Sequence, residues 1–410
     1  MKVRRGSGRP WTAVSAVAVS LLILGAAPAA TGAPPAPHPV GASGTTLRAL
    51  LDSVVAAGVP GVLERTQDGR RVISATAGVA DLGTGAPLRP DARFRVGSIT
   101  KTFVASVVLQ LVGEHRLALD QPVARWLPGL LADGEHITVR ELLNHTSGLY
   151  DYTDDPAVLA GLVNNRIWRP AQLVAIAEGH PALFPPGSSW GYSNTNYIVA
   201  GLLIEVVTGH PLEQELQQRI FTPLGLAHTS FPSITGRITG YHAHGYLPAG
   251  LAGTTNGEPT DVTGLNPSSA WAAGAIVSSA RDLSWFYLAL MDGRLLGPRL
   301  LREMTTTVAE DPADPATYRY GLGIERFQDP CGTDWGLGGA IPGYQTMAYW
   351  NQSTGRTVVL ASTMDPAPAP AQAPLANAAS FALCGPASGT HNDLPRHQGD
   401  PILIRTRYAP

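Results

Sequence analysis

The sequence of 410 residues predicts an α+β fold in which strands from both ends of the chain form one sheet around a helical insert. Short runs typical of strands lie near both ends, whereas apolar residues at helical spacing fill much of the middle. Hydrophobic residues make up 44% of the chain, which is enough to build a substantial core. The net charge of −2 gives no basic footprint for nucleic acid, so no nucleic-acid partner is expected.

The first 33 residues have the order of a secretory signal peptide. Residues 1–9 carry four basic side chains, residues 11–27 form an apolar run, and small residues follow. A membrane anchor is the alternative, but the run is short for a span and a proline follows it. We therefore expect the mature protein to be secreted, with no stable membrane span after signal removal.

Regular structure is expected from Leu47, where apolar residues begin to recur at helical spacing. Residues 34–46, rich in proline, glycine, alanine and serine, are interpreted as a linker, and residues 385–410 as a polar tail. The domain is thus expected to cover residues 47–384. Turn signals separate the first two strands, and a change to helical period marks Ser98 as the start of a long helix. The predicted helices cover residues 47–55, 98–115, 196–208, 282–291 and 375–383, the predicted strands cover residues 61–65, 72–80, 93–96, 320–324, 344–349 and 357–362, and residues 245–270 are expected to be loop.

Lysine is almost absent from the chain. Lysine and arginine together number 29, and the only lysines are Lys2 and Lys101. Arginine stays protonated in proteins, whereas a buried lysine can lose its proton and act as a base. Lys101 is therefore the first candidate for a catalytic residue.

Ser98-Ile99-Thr100-Lys101 begins the long predicted helix. Residues three apart share a helical face, so the Lys101 amine can lie beside the Ser98 hydroxyl. The free N–H groups of a helix start favour developing negative charge, and a serine nucleophile needs an adjacent base. The pattern predicts Ser98 as nucleophile and Lys101 as its base. The alternative is a capping serine beside a solvated lysine.

Tyr192-Ser193-Asn194 precedes the predicted helix at residues 196–208. Tyrosine can relay a proton to a leaving group, serine can pass one to the lysine, and an asparagine amide can hold a substrate carbonyl. Taken alone, Ser193 or Asn194 would be read as a helix cap. Beside a serine–lysine pair, the three residues are interpreted as a second catalytic segment.

Three segments together resemble the penicillin-recognising serine hydrolases, relatives of the class C β-lactamases that include the secreted D-alanyl-D-alanine carboxypeptidase of streptomycetes. They are residues 93–101 (RFRVGSITK), 144–149 (NHTSGL) and 192–196 (YSNTN). The resemblance extends from about Leu47 to Cys384. It implies a penicillin-binding/β-lactamase-like fold, with a mainly antiparallel sheet flanked by helices and a helical subdomain.

The resemblance implies roles for individual residues. Ser98 would be acylated, Lys101 would be its base, and Tyr192 would be the second proton carrier. The backbone N–H groups of Ser98 and Ala340 would form the oxyanion hole, and Asn194 would bind the substrate amide. The residues expected on the substrate and oxyanion side are Ser193, Asn194, Trp271, Gly339 and Ala340. His145, within the second segment, is expected to be structural.

Cys331 and Cys384 are too few for a disulfide scaffold or a cysteine-only zinc site. In an oxidising compartment the two are expected to form a disulfide with each other. The chain has no H-E-x-x-H, P-loop or dinucleotide motif, so neither metal nor cofactor is expected.

The sequence departs from the family's third motif, which is usually a cation, a hydroxyl residue and glycine. Leu337 stands at the cation position and Gly338 at the hydroxyl position, so only Gly339 matches. The arginine that receives the substrate carboxylate in the streptomycete enzyme is replaced by Glu325, which would repel that group. Arg326 is a doubtful substitute, because neighbouring strand residues face opposite sides. The carboxylate clamp is therefore expected to be lost.

These observations predict a secreted serine acyl-hydrolase that works through a Ser98 acyl-enzyme. Its expected substrates are small peptides, amides or esters, with β-lactams as further candidate ligands. The resemblance favours a D-alanyl-D-alanine carboxypeptidase. An esterase or D-amino-acid amidase, for substrates without a free carboxylate, is the alternative. A non-catalytic peptidoglycan-binding relative is the third hypothesis.

Overall fold

The computed structural model describes residues 40–251, 257–329 and 331–385. The expected signal peptide, residues 34–39 of the expected linker and residues 386–410 of the expected tail lie outside the described residues. In the described part, the α-helices are α1 (Val40–Ala56), α2 (Thr100–Gly113), α3 (Val139–Leu143), α4 (Pro156–Val163), α5 (Pro170–Glu178), α6 (Thr195–Thr208), α7 (Leu212–Leu216), α8 (Thr222–Leu224), α9 (Trp271–Gly274), α10 (Ala280–Met291), α11 (Pro298–Thr305) and α12 (Ala369–Cys384).

The strands of the main sheet come from both ends of the chain, and shorter strands lie between them. The strands of the described residues are β1 (Gly61–Asp68), β2 (Arg71–Asp81), β3 (Ala86–Pro87), β4 (Arg93–Arg95), β5 (Tyr246–Leu247), β6 (Thr260–Asp261), β7 (Val277–Ser279), β8 (Val308–Ala309), β9 (Tyr318–Tyr320), β10 (Glu325–Asp329), β11 (Gly332–Ile341), β12 (Tyr344–Asn351) and β13 (Thr357–Ser362). Nine of them form one sheet in the order β3-β2-β1-β13-β12-β11-β10-β9-β8.

All pairings within this sheet are antiparallel. The first strand of the chain pairs with the last, so that Val62 lies opposite Ser362. The prediction of one sheet built from both ends of the chain is therefore confirmed, as is its mainly antiparallel character. Strands β4 and β7 form a separate two-stranded pair.

Helices cover both faces of the sheet. Helices α1 and α12 pack on each other and on the sheet, with Leu47, Leu51 and Leu360 in one apolar cluster. Helix α10 packs on β1, β12 and β13, and together with α2, α6 and α9 it belongs to a second, larger cluster. The α+β fold with a helical middle is confirmed.

The N-terminal helix begins earlier than the sequence predicts. Helix α1 starts at Val40, so part of the interpreted linker at residues 34–46 is helical. The sequence of its first turns, VGASGTT, consists mostly of small residues without an amphipathic pattern and resembles a linker.

Other elements also differ from the prediction, and the predicted loop at residues 245–270 contains β5 and β6. The predicted strand at residues 320–324 is a strand only up to Tyr320, because residues 321–324 turn and Gly323 packs against α2. A Cβ on Gly323 would lie 2.4 Å from the Cβ of Ala105, so the close approach requires glycine there. Helix α12 begins at Ala369, earlier than the predicted start at residue 375, and contains Pro374.

No helix among the described residues combines the length and the apolar character that a membrane span requires. Cys331 and Cys384 form the expected disulfide, which ties the start of β11 to the end of α12.

The disulfide generates a prediction about stability. Replacing both Cys331 and Cys384 with serine should lower the free energy of unfolding by about 4 kcal/mol, because the unfolded chain loses a closed loop of 53 residues. Urea denaturation of the oxidised protein and the double variant measures this. Equal midpoints and slopes for the two proteins would contradict the prediction. Hydrolytic activity serves as the control, since the variant is expected to retain its site.

Candidate active site

Ser98 lies in a short 3-10 helix, Gly97–Ile99, that leads directly into α2. Gly97 has a φ of +54°, which glycine adopts readily. A Cβ on Gly97 would lie 2.7 Å from the Ala340 nitrogen, so the close approach of this turn to β11 also needs glycine. The Ser98 side chain forms no cap of the helix, and the capping interpretation is not supported.

Lys101 is fully buried in the first turn of α2. Its Nζ lies 2.9 Å from Ser98 Oγ, 2.8 Å from Asn194 Oδ1 and 2.8 Å from the Ala273 carbonyl oxygen. The spacing of three residues thus brings amine and hydroxyl together, as predicted. The interpretation of a solvated lysine is wrong.

The surroundings of Lys101 favour its neutral form. Burial lowers the pKa of Lys101 from 10.5 to about 7, although the Asp151 carboxylate acts in the opposite direction. A neutral amine has two N–H donors and one lone pair. The oxygens of Asn194 and Ala273 can only accept, so they take both donors and the lone pair faces the hydroxyl of Ser98. This arrangement prepares Lys101 to take the serine's proton.

Tyr192 is the second proton carrier that contacts the nucleophile. Its hydroxyl donates to Ser98 Oγ at 2.7 Å, so this oxygen lies between a phenol and an amine. Nζ of Lys101 also lies 4.9 Å from the centre of the Tyr192 ring. The three residues predicted as catalytic therefore form one contiguous group, in which two proton carriers contact the nucleophile.

Ser193 has a different role from the predicted one. It is fully buried, and its hydroxyl donates to the Tyr150 carbonyl oxygen at 3.2 Å. Its hydroxyl is thus bonded to the backbone, and this contact gives no support to the expectation that Ser193 passes protons to Lys101 or binds substrate.

Asn194 holds the lysine. Its Oδ1 accepts from Lys101, while its Nδ2 donates to Asp151 Oδ2 at 2.9 Å and to Thr153 Oγ1 at 3.3 Å. Both N–H groups are used within the protein, so the amide cannot donate to a substrate in this arrangement. It makes no side-chain cap of α6 either. In this arrangement Asn194 supports the base, and its expected role in binding the substrate amide stays a prediction.

His145 is fully buried beside this group, with its ring 4.4 Å from the Tyr192 ring. Its Nδ1 accepts from the Ser193 backbone N–H at 3.2 Å and from Asn196 Nδ2 at 3.0 Å. Burial, together with the charge of Lys101, holds the pKa of His145 well below its usual value. His145 is a neutral acceptor that holds the backbone after Tyr192, which is a structural role.

Strand β11 supplies the backbone beside Ser98. Strand β10 pairs with β11 only as far as Gly336, so the later residues of β11 have no partner strand on that edge. Gly339 and Ala340 lie there. A Cβ on Gly339 would lie 2.0 Å from the Val96 oxygen and 3.1 Å from the Ser98 nitrogen. The backbone nitrogens of Ser98 and Ala340 are thus brought close together, as an oxyanion hole requires.

Trp271 packs within the protein. It is 6% exposed, and a Cβ on Gly201 in α6 would lie 2.7 Å from its ring. The structure therefore shows a packing role for Trp271, and its expected contact with substrate stays a prediction. Its φ of +33° is unusual for a residue with a side chain. This turn begins α9 and places the Ala273 carbonyl against Lys101.

Glu325 and Leu337, the departures from the family pattern, are both buried. Glu325 is 1% exposed and accepts from the Tyr349 hydroxyl at 2.6 Å, and burial raises its pKa to about 7. A carboxyl so enclosed does not line an open cleft, so the expected repulsion of a substrate carboxylate is not supported. Leu337 is 3% exposed in the apolar core. Neither position supplies a cation.

Sequence reasoning missed Asp151 and Ala273. Asp151 follows the second family-like segment by two residues, and its acidic side chain was the available signal. Ala273 acts through its backbone carbonyl, for which the sequence carries no signal. Within the described residues, one group could in principle hold a metal, Asp329 with Cys331 and Cys384, but its cysteines are joined in the disulfide and are not thiolate ligands.

The chain is similar in sequence and in fold to known proteins. The family model described as Beta-lactamase matches residues 47–382. A D-stereospecific amidohydrolase from Streptomyces sp. has a similar structure, with a TM-score of 0.74 and 39% identity, covering 84% of this chain and 99% of that one. The D-amino acid amidase of Ochrobactrum anthropi SV3 has a TM-score of 0.70 and 31% identity, covering 78% of this chain and 91% of that one.

Two relatives by sequence belong to different functional classes. A D-aminopeptidase from Brucella anthropi is 31% identical over 295 residues, which are 70% of this chain but only 53% of that protein. The chain thus spans about half the length of that relative. A putative penicillin-binding protein from Bacillus subtilis, PbpX, is 29% identical over 303 residues, covering 74% of this chain and 70% of that protein.

The base assignment predicts the behaviour of a Lys101→Met variant. Acylation should fall by about 10²–10⁴-fold, because methionine cannot take the proton of Ser98. In the native enzyme, acylation should rise as the pH increases through about 7, where Lys101 loses its proton. Single-turnover acylation measured across this pH range tests both statements. Native activity in the variant would exclude Lys101 as the base.

Thermal unfolding of the same variant is the control. The folded-state pKa of Lys101 lies below the unfolded value of 10.5, so the unfolded chain binds the extra proton between pH 7 and 10.5. Burial of the amine therefore costs stability, fully below pH 7 and progressively less as the pH rises. Methionine removes this cost but leaves the Asn194 and Ala273 oxygens without their donor. The two effects oppose each other, so the variant should stay folded and melt close to the native protein at pH 7.

Proposed function

Since this chain belongs to the beta-lactamase family of serine hydrolases, we propose that it hydrolyses amides of D-amino acids through an acyl-enzyme on Ser98. The observation that carries the proposal is the position of Ser98 Oγ, 2.9 Å from Lys101 Nζ and 2.7 Å from the Tyr192 hydroxyl. A base on one side and a donor on the other are what amide cleavage needs, since a proton must leave the nucleophile and another must reach the departing nitrogen.

The reaction begins when Ser98 Oγ attacks the carbonyl carbon and its proton moves to Lys101. The backbone N–H groups of Ser98 and Ala340 receive the negative charge that develops on the carbonyl oxygen. The C–N bond then breaks as Tyr192 gives its proton to the leaving nitrogen, and the proton held on Lys101 returns to Tyr192. Water next attacks the ester carbon and gives one proton to the lysine–tyrosine pair. That proton passes to Ser98 Oγ as the acid leaves.

Two observations support D-amino acid amides as the substrate class. The buried Leu337 and Glu325 provide no cation for a terminal carboxylate, so a substrate that ends in an amide suits the site better than one that ends in an acid. The similar structures from Streptomyces and Ochrobactrum carry the names of a D-stereospecific amidohydrolase and a D-amino acid amidase. Esters of the same acids would follow the same steps, because they form the same acyl-enzyme.

A D-alanyl-D-alanine carboxypeptidase is the second candidate. The serine–lysine–tyrosine group also suits that reaction, and the likeness to the Bacillus subtilis penicillin-binding protein favours it. A purely binding relative is the third hypothesis. The lowered pKa of Lys101 argues against it, because a silent site has no use for a buried neutral amine beside a serine.

We also propose that the protein is secreted. The support is the order of basic, apolar and small residues in positions 1–33. The disulfide between Cys331 and Cys384 fits an oxidising compartment, where such bonds persist.

Hydrolysis of paired enantiomers tests the substrate class. We expect the enzyme to release ammonia from D-phenylalanine amide and to leave L-phenylalanine amide largely intact. An acetylated D-alanyl-D-alanine peptide should be cleaved slowly, because its carboxylate finds no cation. Ammonia and D-alanine release are measured side by side, with Ser98→Ala as the inactive control. Rapid release of D-alanine without amide hydrolysis would favour the second candidate.

Benzylpenicillin provides a separate test of the missing carboxylate clamp. We expect it to acylate Ser98 far more slowly than an uncharged ester does, because its carboxylate lacks a cationic partner. Intact mass after timed incubation, followed by peptide mapping, measures the adduct, and residual penicillin in the same tube reveals turnover. A rapid stoichiometric adduct, or rapid loss of penicillin, would contradict the prediction.

A further inference from the structure

We propose that Asp151 is a positioning residue that fixes the orientation of the Asn194 amide and thereby the electrostatic surroundings of the Lys101 amine. The inference rests on the proposed function in one respect, the role of Lys101 as the base. Asp151 lies outside the motifs that identify the family, and the contacts it makes in the structure carry the argument.

Asp151 is 1% exposed and makes hydrogen bonds with both carboxylate oxygens. Its Oδ1 accepts from the backbone N–H of Thr153 at 3.0 Å and from the Thr153 hydroxyl at 2.8 Å, which caps the 3-10 helix Tyr152–Asp154. Its Oδ2 accepts from Asn194 Nδ2 at 2.9 Å. The carboxylate is therefore anchored by its own loop and presents one oxygen to Asn194.

This contact decides which way the Asn194 amide points. An ionised carboxylate can only accept hydrogen bonds, so the NH₂ group of Asn194 must face Asp151. The Asn194 oxygen is then turned toward Lys101, whose Nζ lies 2.8 Å away. In the flipped orientation the NH₂ group would face the N–H donors of the amine and would compete with Ser98 for its lone pair.

Asp151 also supplies charge to a site that is otherwise neutral. In the described part of the chain, the titratable groups that contact the Lys101 amine or interact with its charge are Tyr192, Tyr197, His145 and Asp151. Burial holds the pKa of Tyr197 well above and that of His145 well below the usual values, so both are neutral near pH 7. Ala273 contributes a carbonyl dipole. The Asp151 carboxylate raises the pKa of the lysine against the larger effect of burial.

The near absence of lysine makes a direct measurement practical. Lys2 and Lys101 are the only lysines, so lysine labelled with ¹³C at Cε gives at most two NMR signals, and Lys101→Met assigns the one of interest. In the native protein this signal should titrate near pH 7. In Asp151→Asn the midpoint should fall by about one pH unit. The rise of acylation by a p-nitrophenyl ester should move to lower pH by the same amount.

Asp155→Asn is the matched control. Asp155 accepts from the backbone N–H of Ala157 at 2.7 Å and pairs with His180 at 2.9 Å, outside the group around Lys101. The substitution removes the same charge four residues away. The Lys101 titration and the pH profile of acylation should both stay unchanged in this variant.

A second variant guards against misfolding. Asp151→Ser removes the same charge, leaves room for water and places no donor rigidly against Asn194, so it should shift the titration in the same direction. A Lys101 midpoint that stays at the native value in a folded Asp151 variant would overturn the proposal. If D-amino acid amides are not hydrolysed but the midpoint moves, the proposed function fails and the role of Asp151 stands.

Discussion

The chemistry of the site depends on one amine that the fold keeps out of water. Lys101 is fully buried, and its burial removes the hydration that normally holds a lysine protonated. Three oxygens replace that hydration, one from each of Ser98, Asn194 and Ala273. The oxygens of Asn194 and Ala273 can only accept, so they take the two N–H donors of the neutral amine. Its lone pair is left to receive the proton of Ser98. Chemistry at Ser98 thus follows from the same packing that makes the first turn of α2 part of the core.

Lys101 can be buried because other segments of the backbone pack closely around α2. Gly97 lets the turn before Ser98 touch β11, Gly323 lets the β9–β10 hairpin touch the helix, and Gly201 makes room for the Trp271 ring. The unusual glycine content of β11 has the same origin. A Cβ on Gly336 would lie 2.0 Å from the Ala348 oxygen, and one on Gly339 equally close to the Val96 oxygen. These residues are explained by packing, without a ligand.

The parts of the site that could be predicted are those encoded locally. The spacing of Ser98 and Lys101 on a helix, and the chemistry of Tyr192, pointed to residues that the structure brings together. Asp151 could not be assigned from its neighbours, because its partner Asn194 reaches it only through the tertiary fold. The structure gives no support to the roles expected for Ser193, Trp271 and Glu325 for a related reason, since residue type does not show whether a side chain faces the cleft or the core. The sequence predicted which parts of the chain supply the strands of the sheet. It did not predict the early start of α1, since the first turns of that helix carry no apolar pattern.

The pairing of β1 with β13 has a consequence for the order in which the protein can fold. During synthesis the N-terminal strands emerge first, but one long edge of β1 stays open until nearly the whole domain has been made, because its neighbour is the last strand of the sheet. Contacts between such distant parts of a chain form slowly, because the entropy of closing a long loop is lost before the contacts contribute any stability. A ribosome-bound chain of this topology therefore cannot complete its sheet until its last strand is available.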